Sequence, residues 1–138
     1  MPRFLVAIFL TILFGGISLL GCTDPSARKA HYLEEGKKYL ETKEYQRARV
    51  SFQNLLKIDP KDHEGRYWLA KTYLQLNDVR KAVGHLRAAL EEAPDYNDAK
   101  VLLAQIYFGA KMPQEASKLI GEVLESEPKR LDALVLKA

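Results

Sequence analysis

The stretch "YWLAKTYLQLNDVRKAVGHLRAALEEAP", residues 67–94, decides the fold once it is set against the chain 34 residues to either side. Its Tyr73 has Tyr39 before it and Tyr107 after it. Ala82 lies between Ala48 and Ala116, Leu90 between Leu56 and Leu124, and Pro94 between Pro60 and Pro128. Ala70 is matched by Gly36 and Ala104. Five columns at one period define an internal repeat, which must be recognised before any element is assigned. Each repeat holds two helical windows, residues 29–42 and 45–58 in the first copy. Within them apolar residues recur at three- and four-residue steps, as in Phe52, Leu55 and Leu56. Gly36, Ala70 and Ala104 let a second helix approach the first, and Ala48, Ala82 and Ala116 give matching room on the second. The tyrosines supply buried aromatic area between neighbouring pairs. The prolines stop each second helix. Asn77-Asp78 and Gly109 mark turns, and Pro113 suits a first helical turn. Gly84 and Gly121 fall inside helical windows, where close packing would account for them.

This pattern resembles the tetratricopeptide repeat, with its leading aromatic, small, tyrosine, alanine and proline positions. The first copy reads Tyr32-x₂-Glu35-Gly36-x₂-Tyr39, then Ala48-x₃-Phe52 and Pro60. The second keeps Leu69-Ala70-x₂-Tyr73, Ala82-x₃-Leu86 and Pro94; the third keeps Leu103-Ala104-x₂-Tyr107, Ala116-x₃-Ile120 and Pro128. The leading tryptophan is absent, replaced by Tyr32, Arg66 and Lys100, and Glu35 stands where a leucine is usual. The resemblance covers residues 29–138 and implies an all-α fold, an α-solenoid of stacked helix-turn-helix repeats after an N-terminal signal segment. Repeats fall at about residues 29–62, 63–96 and 97–130, with a partial fourth at 131–138. A single copy cannot bury its own apolar stripe, so the copies must stack. The last segment, "LDALVLKA", is apolar through Leu131, Leu134, Val135 and Leu136, unlike a polar terminal cap. It reads as the start of a further repeat or as a short helix packed on the third.

The N-terminus is of another kind. Met1-Pro2-Arg3 carries one positive charge, and residues 4–20, "FLVAIFLTILFGGISLL", carry none. A basic start, an apolar centre and small residues at the end describe a secretory signal peptide over residues 1–21. The run is short for a hydrocarbon core of roughly 30 Å, and Gly15-Gly16 weakens it as a membrane helix. Leu19-Leu20-Gly21-Cys22 resembles the bacterial lipobox, which implies cleavage before Cys22 and a lipid on its sulfur. That would account for the only cysteine in the chain, since a thioether needs no partner thiol. Acyl chains at about 0.8 kcal/mol per buried methylene would hold the protein on a bilayer. Thr23 rather than aspartate after the cysteine implies, by resemblance to enterobacterial sorting, the periplasmic face of the outer membrane. Residues 22–28 read as the lipidated cysteine and a short tether, because Pro25 and Ser26 disfavour helix. Residues 23–29 would reach at most about 25 Å, and Arg28, Lys29, Lys37 and Lys38 lie towards that end.

The chain has 138 residues, 47% hydrophobic and 28% charged, with a net charge of +3 from interspersed acids and bases. Neither global disorder nor a dedicated nucleic-acid binder fits that composition. His31, His63 and His85 show no metal-ligand spacing, no cofactor motif occurs, and no nucleophile–base arrangement points to an enzyme. A binding module is the leading reading. In the resembled family the first helices line a concave groove, which here would hold Leu33, Lys37 and Leu40, then Tyr67, Lys71 and Leu74, then Val101, Gln105 and Phe108. Lys37 and Lys71 are one period apart. An apolar groove with positive charges suits a peptide or helix carrying acidic residues. The family's clamp for chaperone C-terminal carboxylates is not expected, since Leu33, Trp68, Asp98 and Leu102 occupy four of its positions. The two halves together describe a membrane-anchored periplasmic scaffold recruiting other envelope proteins. Similar lipoproteins serve pilus or secretin assembly, outer-membrane insertion and exopolysaccharide export. The alternative is a structural or cell-wall-associated spacer without a specific ligand.

Overall fold

The computed structural model describes residues 24–138. These form seven helices and, among the described residues, no strand. They are α1 (Pro25–Glu41), α2 (Tyr45–Ile58), α3 (His63–Gln75), α4 (Val79–Glu92), α5 (Asn97–Gly109), α6 (Pro113–Ser126) and α7 (Leu131–Lys137). Each helix packs on its neighbours in sequence; α1 also touches α3, and α5 touches α7. That is the contact pattern of a helix-turn-helix solenoid. The expected signal segment over residues 1–21, the expected lipobox and Cys22 lie outside the described residues.

The 34-residue period extends to single backbone hydrogen bonds. Each odd-numbered helix through α5 ends in a left-handed residue, at Lys43 (φ 61°), Asn77 (φ 58°) and Lys111 (φ 59°). The following amides donate back to Tyr39 (2.8 Å), Tyr73 (2.9 Å) and Tyr107 (2.9 Å). The left-handed residues donate to Leu40 (3.1 Å), Leu74 (3.0 Å) and Phe108 (3.0 Å). This paired closure satisfies carbonyls that a helix end otherwise leaves without partners. The third turn differs from expectation: Gly109 is the last residue of α5, and Lys111 takes the left-handed position.

The first helix is longer than the sequence implies. Residues 25–28, expected in a tether, form its first turn. Pro25 sits where a missing N–H costs nothing, and the Asp24 carboxylate accepts from the Ser26 amide at 3.1 Å. Asp62 and Asp78 cap α3 and α4 in the same manner, accepting from the amides of Gly65 (2.6 Å) and Lys81 (3.1 Å).

Two apolar clusters form the core. The first joins Ala48, Phe52, Leu69, Ala70, Tyr73, Ala82, Leu86, Ala99 and Leu103; the second joins Val101, Ala104, Ala116, Ile120, Val123 and Ala133. Gly36 is a true close approach, since a methyl there would stand 2.5 Å from the Phe52 ring. Gly84 and Gly121 are not: nothing lies within 4 Å of a methyl at either, so close packing does not explain them. Glu35, at the outer edge of the array, accepts from the Ser51 hydroxyl at 2.6 Å. Ser51 of α2 thus satisfies a half-buried carboxylate, whereas Leu69 and Leu103, the equivalents of Glu35, are buried apolar side chains.

Candidate functional site

The odd-numbered helices present the groove residues as two groups. Lys37, Leu40 and Lys71 line one cavity of about 420 Å³ with Glu41, Lys43, Tyr45, Trp68 and Gln75, three lysines against one carboxylate. Leu33, Tyr67 and Leu74 are half-buried and pack on the first core cluster. Phe108 packs on the second cluster, and Gln105 is exposed. Val101 is 4% exposed inside the second cluster. It belongs to the core rather than to a binding surface, because α7 packs across this part of the array and brings Ala133 into the same cluster.

Trp68, the single tryptophan of the chain, organises the cavity. Its ring lies 4.4 Å from the Lys71 ammonium and 5.2 Å from that of Lys37. Its indole N–H donates to Glu64 at 3.2 Å, and its ring stacks at 6.5 Å on the Phe52 ring. Tyr67 packs edge-on against it at 5.5 Å and against Tyr96 at 5.4 Å. Tyr96 continues this aromatic row to His63, at 5.0 Å. Burial raises the Tyr67 and Tyr96 hydroxyls above the ordinary phenol range, and the Asp98 charge adds to it. Both tyrosines therefore stay neutral donors at physiological pH.

The two lysines are not equivalent. Lys37 pairs with Glu64 (3.2 Å) and Glu34 (3.4 Å). Burial pulls its ammonium down, but the hydrogen bonds and charge of Glu64 and Glu34 together lift it above the ordinary lysine value. Its positive charge is thus matched within the protein. Lys71 has no carboxylate partner among the described residues and rests on Trp68 and on Tyr67 (5.5 Å). An ammonium on an aromatic face gains about 0.5–1 kcal/mol where solvent reaches it and keeps its outer donors free. Sequence places Trp68 only at a position of the carboxylate clamp and not among the groove residues. Its signal is the three-residue step to Lys71, which puts both on one helix face.

One family model identifies the repeat itself. The tetratricopeptide repeat model matches residues 39–86 and 77–138, most of the described chain. The chain is a tetratricopeptide repeat protein. No curated protein matches it. Among solved structures, this tetratricopeptide repeat chain is similar to the first such domain of Spaghetti (RPAP3), described as bound to the HSP90 peptide SRMEEVD. The identity is 23% and the TM-score 0.74, over 78% of this chain and 86% of that one. A repeat protein from Parabacteroides merdae aligns at 20% identity and TM-score 0.76, over 83% of this chain and 44% of that one. PilF of Pseudomonas aeruginosa aligns at 19% identity and TM-score 0.70, over 76% and 47%. At these identities the likeness is one of fold. As a tetratricopeptide repeat protein the chain is a protein-interaction scaffold. No group of metal-ligating side chains occurs among the described residues, and no helix there is long and apolar enough to cross a membrane.

Proposed function

We propose that this chain is a lipid-anchored scaffold of the bacterial envelope that recruits an acidic segment of another envelope protein to its concave face. The observation that carries the reading is Lys71, stacked on Trp68 in a cavity where three lysines face the single carboxylate of Glu41, and making no ion pair among the described residues. A carboxylate from a partner would complete that cation, and a neighbouring apolar side chain would fill the space against Leu40 and Trp68. The peptide named with the RPAP3 domain is likewise acidic, SRMEEVD. Leu19-Leu20-Gly21-Cys22 supports the anchor, and Thr23 supports the periplasmic face of the outer membrane. Assembly of a pilus or secretin, outer-membrane insertion and exopolysaccharide export are the systems in which such a scaffold would serve.

The test is a pull-down from envelope extract with wild type, Lys71→Glu and Trp68→Ala. One stoichiometric partner, lost from both variants while their circular dichroism is unchanged, supports the scaffold. A specific partner retained by both variants removes the concave face from the reading. Nothing above background with wild type favours the spacer. Cys22→Ser should abolish lipid labelling and release the protein from membranes; a variant still bound to membranes through an uncut N-terminus overturns the anchor.

A further inference from the structure

A second open surface lies between α4 and the C-terminal half of α5, and it shares no residue with the concave cavity. It encloses about 480 Å³ over an apolar floor of Val79, Val83, Ile106, Tyr107, Ala110 and Met112. Val79 and Met112 are 49% and 36% exposed. The only charged residues lining it are Arg80 and Arg87. Neither makes an ion pair among the described residues. Arg87 is oriented by the Tyr107 hydroxyl, to which it donates at 2.8 and 3.2 Å.

Gly84 lies between the two arginines. The stripe Arg80, Gly84, Arg87 follows a four- then a three-residue step, so all three occupy one face of α4. The arginines stand about 10 Å apart along the axis, with bare helix backbone between them. A glycine in a helix interior costs roughly 0.5–1 kcal/mol against alanine, and here no internal contact requires it. The repeat does not impose the arrangement either. One period earlier the same stripe reads Gln46, Val50, Gln53, without charge and without glycine.

We propose that this groove binds an amphipathic helix of a partner protein whose docking face reads acid, aliphatic, acid over two turns. The aliphatic side chain would sit over Gly84, where the missing Cβ lets the two helices approach. The acids would meet Arg80 and Arg87, whose charges nothing in the groove balances. The surface is separate from the concave site, so the scaffold would hold two partners at once.

The test uses the full chain and a fluorescein-labelled, end-capped alanine-based peptide of about 18 residues, long enough to be substantially helical. The peptide carries Glu-x₃-Leu-x₂-Glu on one face; its counterpart carries lysines for the glutamates. Fluorescence anisotropy should show binding of the acidic peptide only. Gly84→Leu, which fills open space and raises helix propensity, should weaken it about tenfold or more. Arg80→Glu with Arg87→Glu should do the same, and Lys71→Glu should not. Three results overturn the proposal: no binding of the acidic peptide, equal binding of the lysine peptide, or loss of binding in Lys71→Glu with none in Gly84→Leu. Sedimentation that shows a dimer removed by Gly84→Leu would assign the groove to a second copy instead. Binding to phosphatidylglycerol vesicles removed by Gly84→Leu and by the double arginine reversal would assign it to a lipid surface. Either result also overturns it.

Discussion

The junctions α2–α3 and α4–α5 occupy the same place in successive repeats, and they are finished differently. At the first, Tyr73 is 5% exposed. Gln53 donates to its hydroxyl at 3.3 Å, the His85 ring stacks on it at 5.5 Å, and Lys81 stands 5.2 Å over it. At the second, the equivalent Tyr107 is only half-buried and forms one wall of a groove. The equivalent of Gln53 is Arg87, which again reaches the tyrosine hydroxyl. The residues around the ring differ as well: His85 and Lys81, which lie on Tyr73, have Leu119 and Glu115 as their equivalents, and Arg49 and Val50 become Val83 and Gly84. The backbone period places a tyrosine at each junction; the side chains that stacking brings onto the ring decide whether it is sealed, as Tyr73 is, or half-buried, as Tyr107 is.

The sharpest test of that difference compares the two tyrosines. Tyr73→Ala should cost about 3–5 kcal/mol, as for a large buried aromatic. Tyr107→Ala should cost about half as much, because less of its ring leaves water on folding. Denaturant midpoints of the two variants measure both, and equal losses would mean that the junctions are packed alike.

A smaller effect comes from exchanging the residues above the rings. Gly84→Ala should stabilise the protein by about 0.5–1 kcal/mol, since the alanine meets open space and gains helix propensity. Val50→Gly should cost about 1 kcal/mol, by helix propensity and by the apolar area of the half-exposed valine that is lost. If Gly84→Ala destabilises the protein, the space over α4 is filled in solution and the comparison fails.

The smallest expected effect is a pH dependence confined to the first junction. Burial lowers the His85 imidazole below the ordinary histidine value, and the Arg66 charge adds to it. Its Nδ1 is buried without a partner. The unfolded chain therefore binds this proton more readily than the folded one, and folding stability rises with pH across the interval between the two values. That stability is complete above the unfolded value and falls as pH drops below about 6.5. Replacing His85 by the residue one period on, His85→Leu, should flatten the stability profile between pH 7 and 5. Denaturation at several pH values gives the slope, and an unchanged slope would assign it to other groups.

Much of the solenoid was legible in five columns of residues, because each column records a local requirement. A proline ends a helix wherever it stands, and an alanine admits a neighbour wherever helices cross. The start of α1 was less legible: Pro25 breaks a helix interior but opens a first turn, and only the Asp24 cap decides between them. Gly109 and Lys111 show the same limit, since glycine is the usual left-handed residue yet the turn geometry falls two residues later.

The candidate site divides along the same line. That Lys37 and Leu40 share a face of α1, and Tyr67 and Lys71 a face of α3, follows from their spacing. Which lysine is left without a carboxylate does not, because Glu64 reaches Lys37 from the next repeat across a gap of 27 positions. Val101 carried the periodicity of a groove residue, and α7 packing over that part of α5 turned it into core. Sequence by itself determined the repeat, the helices and the turns, since these depend on residues near one another in the chain. Tertiary structure alone decided which lysine remains uncompensated, which tyrosine is sealed and where a groove stays open, since these depend on side chains that only stacking brings together.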